Sequence, residues 1–424
     1  MEINIQAGHG IQVKGPAKLL VIEGTLSLLG ARISTDQETI IQAGKYSPFD
    51  VEENSKIELI GANLEYYIID KPLIPSDRKE LIKKIEFLMP PAKIMILGQV
   101  DTGKTTVICY LANYFFNLGK QVAVIDLDMG QQDIGPPCTV TLGILDKSIL
   151  KLEDVPLYRM VFIGKTSPVG RLIQTLTGAR ELMDIALPLA DIILIDTTGW
   201  VFGGAARAYK SAKIRNLKPD MLVPIQKENE IAHLLEPFKS SIHIEPLSVY
   251  PHIVNRNHST RKFLRESKFN NYFSNATSRI FNLNQLKIET SFYKSGSYLK
   301  ADEQKYIEQT LKCNFIYAEK AADALFLVKK PSSIYDKNNI STVKDYFKII
   351  DIRIVSKNDE SGLVIGLLDK NFNTLGIGLV ENILYNENKI RIFTPVTEEI
   401  NILQFGFLKI SKTGQELAEL KNPF

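Results

Sequence analysis

A phosphate-binding loop is the clearest chemical motif in the sequence. Residues 98–105 are Gly-Gln-Val-Asp-Thr-Gly-Lys-Thr, which matches the pattern G-x-x-x-x-G-K-[ST] in full. Glycines let such a loop wrap around a phosphate, so that backbone N–H groups and the following helix N-terminus face the anion. Lys104 would reach the β- and γ-phosphates, and the Thr105 hydroxyl would ligate the metal. The motif predicts a site for ATP with Mg²⁺, or another divalent cation, formed by Gly98, Gln99, Val100, Asp101, Thr102, Gly103, Lys104, Thr105 and Thr106.

Acidic residues follow two apolar runs further along the chain. Asp126 and Asp128 end one run, and Asp196 ends another. Parallel strands point their carboxyl ends at the ligand crevice, so these carboxylates could hold Mg²⁺ and orient an attacking hydroxyl. We favour Asp128 as metal ligand and base or positioning group, with Gln131 contacting the acceptor or a metal-bound water. Asp126 could instead cap the next element, and Asp196 could hold the metal through water, sense the γ-phosphate or only shape a turn.

Trp200, the only tryptophan, stands just past the Asp196 strand end. An indole beside a phosphate site can stack on a nucleic-acid base without reading its identity, although a place in the core is the alternative. On the next helical stretch Arg207, Lys210 and Lys213 share a face. That face could follow a phosphate backbone, and the more common explanation is a solvated helix surface.

A pair of arginines recurs later at helical spacing. If residues 259–267 form a helix, Arg261 and Arg265 are neighbours at i and i+4. Two guanidinium groups on one side could close over a transferring phosphoryl group. The alternative is an ordinary basic surface helix.

The bulk composition narrows the class of protein. The chain has 424 residues, 45% hydrophobic and 23% charged, which is enough for two or three globular domains. Its net charge of +3 predicts no partner by itself. Three widely spaced cysteines show no metal-binding pattern, and no apolar run is long enough to span a bilayer or resembles a signal peptide. We therefore expect a soluble intracellular protein, cytoplasmic or, in a eukaryote, nuclear, with no membrane partner.

The elements that position these residues alternate between short apolar strands and helices. This pattern predicts an α/β fold with a central P-loop NTPase domain, whose sheet is mainly parallel, between small β-rich N-terminal and C-terminal domains. We place the boundaries at residues 1–76, 77–285 and 286–424. The runs predicted as strands of the central sheet are Ile94–Leu97, Val122–Asp126, Arg159–Ile163, Ile192–Asp196, Met221–Val223 and Ile242–Ile244.

Taken together, these segments resemble the polynucleotide 5′-hydroxyl kinases of archaea and eukaryotes. That family includes the RNA kinases of the messenger-RNA cleavage complex and of ribosomal-RNA processing. No single motif beyond the phosphate loop is specific, and the likeness depends on the order and approximate spacing of the set. The matching segments are Gly98–Thr106, Asp128–Gln131, Phe162–Pro168, Asp196–Trp200 and the pair Arg261 and Arg265.

The resemblance implies an ATP-dependent polynucleotide 5′-hydroxyl-kinase that transfers the γ-phosphate of ATP to the 5′-hydroxyl end of RNA, and also of DNA, in RNA processing. It implies that Lys104 grips the phosphates and that Asp128, helped by Gln131, activates or positions the acceptor hydroxyl. Arg261 and Arg265 would be catalytic lid residues.

The resemblance also implies how the acceptor is held. Trp200 would stack on the terminal base, and Thr166, Ser167 and Pro168 would form a clasp around the terminal nucleotide. In the family the adenine is held partly by the N-terminal domain, where Lys45 is a candidate contact. RNA-processing proteins are further implied partners.

Two other classes of function compete with a kinase. A regulatory P-loop NTPase, either a switch or an assembly ATPase, is suggested by Asp196-Thr197-Thr198-Gly199, which resembles a D-x-x-G turn. However, the sequence has no Asn-Lys-x-Asp run to recognise guanine, and the phosphate loop lacks the extra lysine of some assembly ATPases. The second alternative is an ATP-bound, non-catalytic scaffold for RNA processing.

Overall fold

The computed structural model describes residues 1–44, 46–249, 257–289, 291–421 and 424. Lys45, the candidate adenine contact, lies outside the described residues. Two compact units are present: Met1–Gly135 with Val140–Arg159 and Val169–Lys262, and Pro136–Thr139 with Met160–Pro168 and Phe263–Phe424. The three-domain division of the chain stays a prediction. Within the described ranges no helix is long and apolar enough to cross a membrane.

Nine short strands build two antiparallel sheets at the start of the first unit. One sheet has the order β1-β8-β3-β6 and the other β5-β4-β7-β2-β9, the strands being β1 (Glu2–Ile5), β2 (Gly10–Lys14), β3 (Ala17–Glu23), β4 (Thr25–Leu28), β5 (Ala31–Ser34), β6 (Glu38–Ile41), β7 (Tyr46–Val51), β8 (Ser55–Ile60) and β9 (Glu65–Ile69). Burial alternates along β3, where Leu19 and Val21 are fully buried, as expected for sheets with one face on a core. The predicted N-terminal β-rich region is confirmed.

A seven-stranded sheet carries the phosphate loop. Its strands and the helices around it are α1 (Ser76–Glu86), β10 (Ala92–Gly98), α2 (Lys104–Asn117), β11 (Val122–Leu127), β12 (Thr139–Ile144), β13 (Leu157–Phe162), α3 (Leu172–Ala186), β14 (Ile192–Thr197), α4 (Gly204–Leu217), β15 (Met221–Ile225), α5 (Ala232–Leu235), β16 (His243–Ile244) and α6 (His258–Tyr272). The strand order is β13-β12-β11-β14-β10-β15-β16.

The pairing in this sheet is mainly parallel, as the sequence predicts. Strands β11, β14, β10, β15 and β16 run parallel, and β12 is antiparallel to β11. Every residue of β11, β14 and β15 is buried. Strands covered on both faces are largely apolar, which explains why the predicted runs overlap observed strands. The exceptions in β11 and β14, Asp126, Asp196 and Thr197, stand at the carboxyl ends of these strands. The sequence did not predict β12.

Asn113 joins the N-terminal strands to the helix that follows the phosphate loop. Its fully buried amide nitrogen donates to the carbonyls of Leu29 and Ile149, both at 2.8 Å. Its side-chain oxygen accepts the Ile149 N–H, also at 2.8 Å. These bonds satisfy the buried amide and fix α2 against its neighbours.

The second unit is β-rich, as predicted, and also contains two helices that the sequence did not predict. Its larger sheet has the order β17-β25-β24-β23-β26-β18, with β27 paired to β26, and its smaller sheet has the order β19-β20-β21-β22. The elements are β17 (Thr277–Asn282), β18 (Lys287–Glu289), β19 (Ser297–Tyr298), α7 (Ala301–Leu311), β20 (Phe315–Lys320), β21 (Ala324–Lys329), α8 (Ile340–Phe347), β22 (Asp351–Ser356), β23 (Leu363–Leu368), β24 (Thr374–Leu384), β25 (Lys389–Thr394), β26 (Ile402–Ile410) and β27 (Glu416–Glu419).

Candidate active site

The phosphate loop connects the end of β10 to the start of α2. Asp101 and Gly103 adopt positive φ angles of 57° and 89°, which turn the chain sharply into the helix. A Cβ on Gly98 would lie 2.6 Å from the Thr102 hydroxyl oxygen, so a side chain does not fit there. No side chain caps the first turn of α2 among the described residues, which leaves its N–H groups directed at an incoming anion. This backbone fits a nucleotide triphosphate.

Lys104 is the first residue of α2 and is almost completely buried. Its ammonium donates to the Gln99 carbonyl across the loop at 2.8 Å, and the Thr102 hydroxyl donates to the same carbonyl at 3.0 Å. The positive charge therefore lies within the phosphate loop itself, as the motif requires.

Thr105 and Asp196 bring two oxygen ligands together beside the loop. The Thr105 hydroxyl donates to Asp196 Oδ2 at 3.1 Å, while Asp196 Oδ1 accepts the Thr197 N–H at 2.7 Å. Burial raises the pKa of Asp196 to about 6; the Lys104 charge opposes this shift and Asp128 adds to it. A buried carboxylate next to a hydroxyl is a donor set that a hard cation prefers, so these residues fit Mg²⁺.

Asp126 organises the backbone of the following loop. Its two carboxylate oxygens accept the N–H groups of Asp128, at 2.9 Å, and of Asp133, at 2.8 Å. It is buried, and burial together with the nearby Asp196 charge raises its pKa well above the ordinary value. Asp126 thus fixes the backbone between β11 and Asp133, and its role as a cap or as a metal ligand stays a prediction.

Asp128 is less buried than Asp126 and lies at the start of this loop. Its Oδ1 accepts the N–H groups of Gly130 and Gln131, both at 3.2 Å, which orients the carboxylate. The Gln131 amide donates to the Gly130 carbonyl at 3.0 Å and lies 3.5 Å from the Arg261 carbonyl. The charge of Asp128 contributes to the raised pKa of Asp196, so the two carboxylates belong to one cluster.

Trp200 lies next to the phosphate loop and is partly exposed. A Cβ on the preceding Gly199 would lie 2.5 Å from the Val100 backbone nitrogen, so the two backbones are in direct contact. The indole packs on the buried Tyr209 ring, with centroids 6.0 Å apart. Trp200 is therefore not a core residue remote from the nucleotide site.

Lys210 and Lys213 on α4 correct one sequence-based interpretation. Both are fully buried, so the solvated helix surface expected for them is wrong. The Lys210 ammonium donates to the Thr198 carbonyl at 2.5 Å, and the Lys213 ammonium lies 4.4 Å from the Tyr209 ring centroid. A usable signal was present, because both lysines lie on the buried face of α4 that also carries Tyr209 and Leu217.

The arginine pair lies on α6, which confirms the predicted helix. The Arg261 guanidinium donates to Asp101 of the phosphate loop at 2.7 Å. Arg265, within the second unit, pairs with Glu416, with Nη2 3.0 Å from Oε2. Each guanidinium is therefore held by a carboxylate, and the lid role of both arginines stays a prediction.

The clasp segment belongs to the second unit. Its base is anchored: the Gly164 carbonyl accepts the Phe407 N–H at 2.8 Å, and Lys165 pairs with Glu419 at 2.7 Å. Of the three predicted contacts, Thr166 and Ser167 are partly exposed, whereas Pro168 is buried. Their role in holding an acceptor stays a prediction.

Comparison with known proteins agrees with this geometry. The family model described as mRNA cleavage and polyadenylation factor CLP1 P-loop matches residues 98–275. The polyribonucleotide 5′-hydroxyl-kinase of Methanocaldococcus jannaschii is 33% identical over 358 residues, which cover 82% of this chain and 95% of that protein. Its counterpart from Pyrococcus abyssi is 32% identical over 354 residues, covering 82% and 96%.

The fold is shared with a solved structure as well. Clp1p in its complex with Pcf11p aligns with a TM-score of 0.65 at 14% identity, covering 96% of this chain and 97% of that one. The resemblance found in the sequence is thereby confirmed. With about one-third of residues identical over nearly the full length of the archaeal kinases, the chain belongs to the CLP1 P-loop family that includes the polyribonucleotide 5′-hydroxyl-kinases.

Proposed function

We propose that the chain is an ATP-dependent polynucleotide kinase that phosphorylates the 5′-hydroxyl end of RNA. One observation carries the proposal: the phosphate loop directly contacts the turn that bears Trp200, with Gly199 against Val100. The loop that would bind the triphosphate and the aromatic side chain of Trp200 are thus neighbours within the first unit. The archaeal relatives are polyribonucleotide 5′-hydroxyl-kinases by name, which supports RNA as the acceptor.

In the proposed reaction, the loop backbone, the α2 N-terminus and Lys104 bind the nucleotide phosphates. Thr105 and Asp128, together with the neighbouring Asp196, would hold Mg²⁺, which would supply positive charge to the phosphates. These groups stabilise the negative charge that spreads over the phosphoryl oxygens during transfer.

The acceptor hydroxyl needs a group that takes its proton. Asp128, oriented by the N–H groups of Gly130 and Gln131, accepts the proton of the 5′-hydroxyl. The acceptor oxygen then forms a bond to the γ-phosphorus while the bond to the β,γ-bridging oxygen breaks, and ADP leaves. Trp200 stacks on the terminal base and keeps the hydroxyl in line.

The arginines complete the site in this proposal. Arg261 is already placed on the phosphate loop through Asp101, so its guanidinium needs only to exchange one anion for another. Arg265 would have to leave Glu416 to take part. The clasp of Thr166, Ser167 and Pro168 would hold the terminal nucleotide.

We further infer that the protein acts on DNA ends to some degree, works inside the cell, where ATP is, and meets other RNA-processing proteins.

The decisive test is transfer of labelled γ-phosphate from ATP to matched 5′-hydroxyl RNA and DNA oligonucleotides. We expect Mg²⁺-dependent labelling of RNA and its loss in Lys104→Ala, because the phosphates then lack their ammonium. A 5′-phosphorylated oligonucleotide is the control that must stay unlabelled. ATP hydrolysis without labelling would instead indicate a regulatory NTPase, and ATP binding with neither activity would indicate a scaffold.

A further inference from the structure

Helix α4 fastens the turn between the nucleotide site and Trp200. The fully buried Lys210 ammonium donates to the Thr198 carbonyl at 2.5 Å. Burial of this ammonium costs stability because it loses its water, and the charges of Asp128 and Asp196 offset only part of that loss, so its pKa lies well below the ordinary value. Lys210 makes a donor bond to the turn that an apolar side chain at this position could not make.

The same turn is held on two further sides. The Thr197 hydroxyl donates to the Ile96 carbonyl at 2.8 Å, which ties the end of β14 to β10. Gly199 touches the phosphate-loop backbone so closely that a Cβ there would lie 2.7 Å from the Val100 Cα. A shift of the phosphate loop would therefore press on residues 198–200, and the Lys210 bond holds the Thr198 end of this turn in place.

Trp200 receives its support from the same helix. Its indole packs on Tyr209, the residue directly before Lys210, with the ring planes inclined by 32°. Helix α4 thus sets both the backbone before the indole and the surface beneath it. A change in the position of residues 198–200 would alter the environment of the indole.

We propose that Lys210 is a positioning residue that couples nucleotide binding to Trp200. Its bond to Thr198 keeps the turn against the phosphate loop, so that an occupied loop orders the indole for an aromatic ligand. The acceptor then binds more tightly to the nucleotide-loaded protein, by about 5- to 150-fold, as is usual for coupled sites. The identity of that ligand, an RNA end, rests on the proposed function, whereas the coupling does not.

The single tryptophan makes this coupling measurable without any activity. Tryptophan emission is followed while ADP with Mg²⁺ is added to the wild type, Lys210→Met and Lys213→Met, and nucleotide affinity is measured separately by calorimetry. Lys213→Met is the matched control, because Lys213 is equally buried on the same helix but does not bond to Thr198. We expect a saturable emission change in the wild type and in Lys213→Met, and its loss in Lys210→Met with nucleotide affinity changed less than about threefold.

A second arm uses the kinase assay. In Lys210→Met we expect the fold-increase in KM for the 5′-hydroxyl RNA to be at least about ten times the fold-decrease in kcat, because acceptor positioning is lost. Lys210→Gln, which retains a donor, should restore part of the emission change, and it replaces Lys210→Met if that variant does not fold. A wild type without any emission change, a full change in Lys210→Met, or an equal loss in Lys213→Met would each overturn the coupling. Absence of RNA labelling by the wild type would overturn the proposed function alone.

Discussion

The two acids after β11 have different tasks, although they stand two residues apart. Asp126 is buried, and both of its carboxylate oxygens accept hydrogen bonds from backbone N–H groups. Asp128 is less buried, and its Oδ1 accepts such bonds. The sequence located both acids at the end of a strand but left the task of Asp126 open. The difference depends on how the loop folds back as far as Asp133, which no local pattern reveals.

The buried lysines show a different limit of sequence analysis. Charged residues on a helix are usually solvated, so Lys210 and Lys213 were assigned to the surface. Carboxylates at the ends of β11 and β14 supply part of the counter-charge, namely Asp128 and Asp196 for both lysines and also Asp126 for Lys213. Only the folded sheet brings these groups together.

Replacement of the single tryptophan tests the acceptor platform. We expect Trp200→Ala to weaken binding of the 5′-hydroxyl RNA by about 1–3 kcal/mol, roughly 5- to 150-fold in KM, because one base loses its stacking partner. Nucleotide affinity should change little. The measurement is the KM for the oligonucleotide at saturating ATP, with Trp200→Phe as the conservative control. An unchanged KM in Trp200→Ala would refute the stacking role.

Among the elements, strand β12 is difficult to predict from the sequence because it contains two threonines, Thr139 and Thr141. The Thr139 hydroxyl donates to the Pro136 carbonyl at 2.7 Å, and the Thr141 hydroxyl donates to Gln132 Oε1 at 3.0 Å. These local bonds let polar residues lie in a strand that is buried at every position except its last. The run therefore lacks the continuous apolar character that revealed β11 and β14.

Helices α7 and α8 were missed because few of their residues are buried. In the eleven residues of α7 only Ile307 and Leu311 are buried, and in α8 only Val343 and Phe347. Partly buried Tyr306 and Ile340 add one position to each helix, but both helices are short and lie in a region where strands dominate, so the helical period is easily overlooked. The strands of the second unit were easier to predict, since β23 is buried along its whole length.

The contact between the Trp200 turn and the phosphate loop predicts the effect of a single methyl group. In Gly199→Ala the new Cβ would lie 2.5 Å from the Val100 nitrogen, so one backbone must move. We expect nucleotide affinity to fall at least about tenfold, measured by calorimetry with ADP and Mg²⁺.

Gly204→Ala provides the matched control for that substitution. Gly204 begins α4, and a Cβ there would meet nothing within 4 Å. Alanine also suits a helix better than glycine, so the affinity should stay at the wild-type value. Equal effects of the two substitutions would show that the close approach of Gly199 to Val100 does not determine nucleotide affinity.

At the scale of the whole molecule, Lys213 makes stability depend on pH. Burial lowers its pKa from 10.5 to about 7, while Asp128, Asp196 and Asp126 oppose the shift and the fully buried Lys210 lies on the same helix. Between these two values the unfolded chain binds a proton that the folded protein lacks. The free energy of unfolding therefore rises with pH across this window, by at most about 1.4 kcal/mol per unit.

The Lys213→Met variant should lose the part of this dependence that Lys213 contributes, while Lys210, whose pKa is also lowered by burial, keeps its own part. Near neutral pH it should melt above the wild type, because the buried charge is gone, and this advantage should shrink as pH rises from about 7 towards 9. Melting temperatures of the nucleotide-free proteins, followed by circular dichroism, give the measurement. Lys120→Met, which removes an exposed charge, should show no such trend. A constant difference for Lys213→Met at all pH values would contradict the assignment.

The complete burial of β11, β14 and β15 has an evolutionary consequence. A one-residue insertion in any of these strands would reverse which side chains face each neighbouring layer, so their lengths cannot drift. The segments that leave their carboxyl ends carry no such constraint, and Asp128, Gln131 and Trp200 stand on them. We therefore expect descendants of this architecture to retain their hold on a triphosphate while exchanging, or abandoning, the molecule that receives the phosphate.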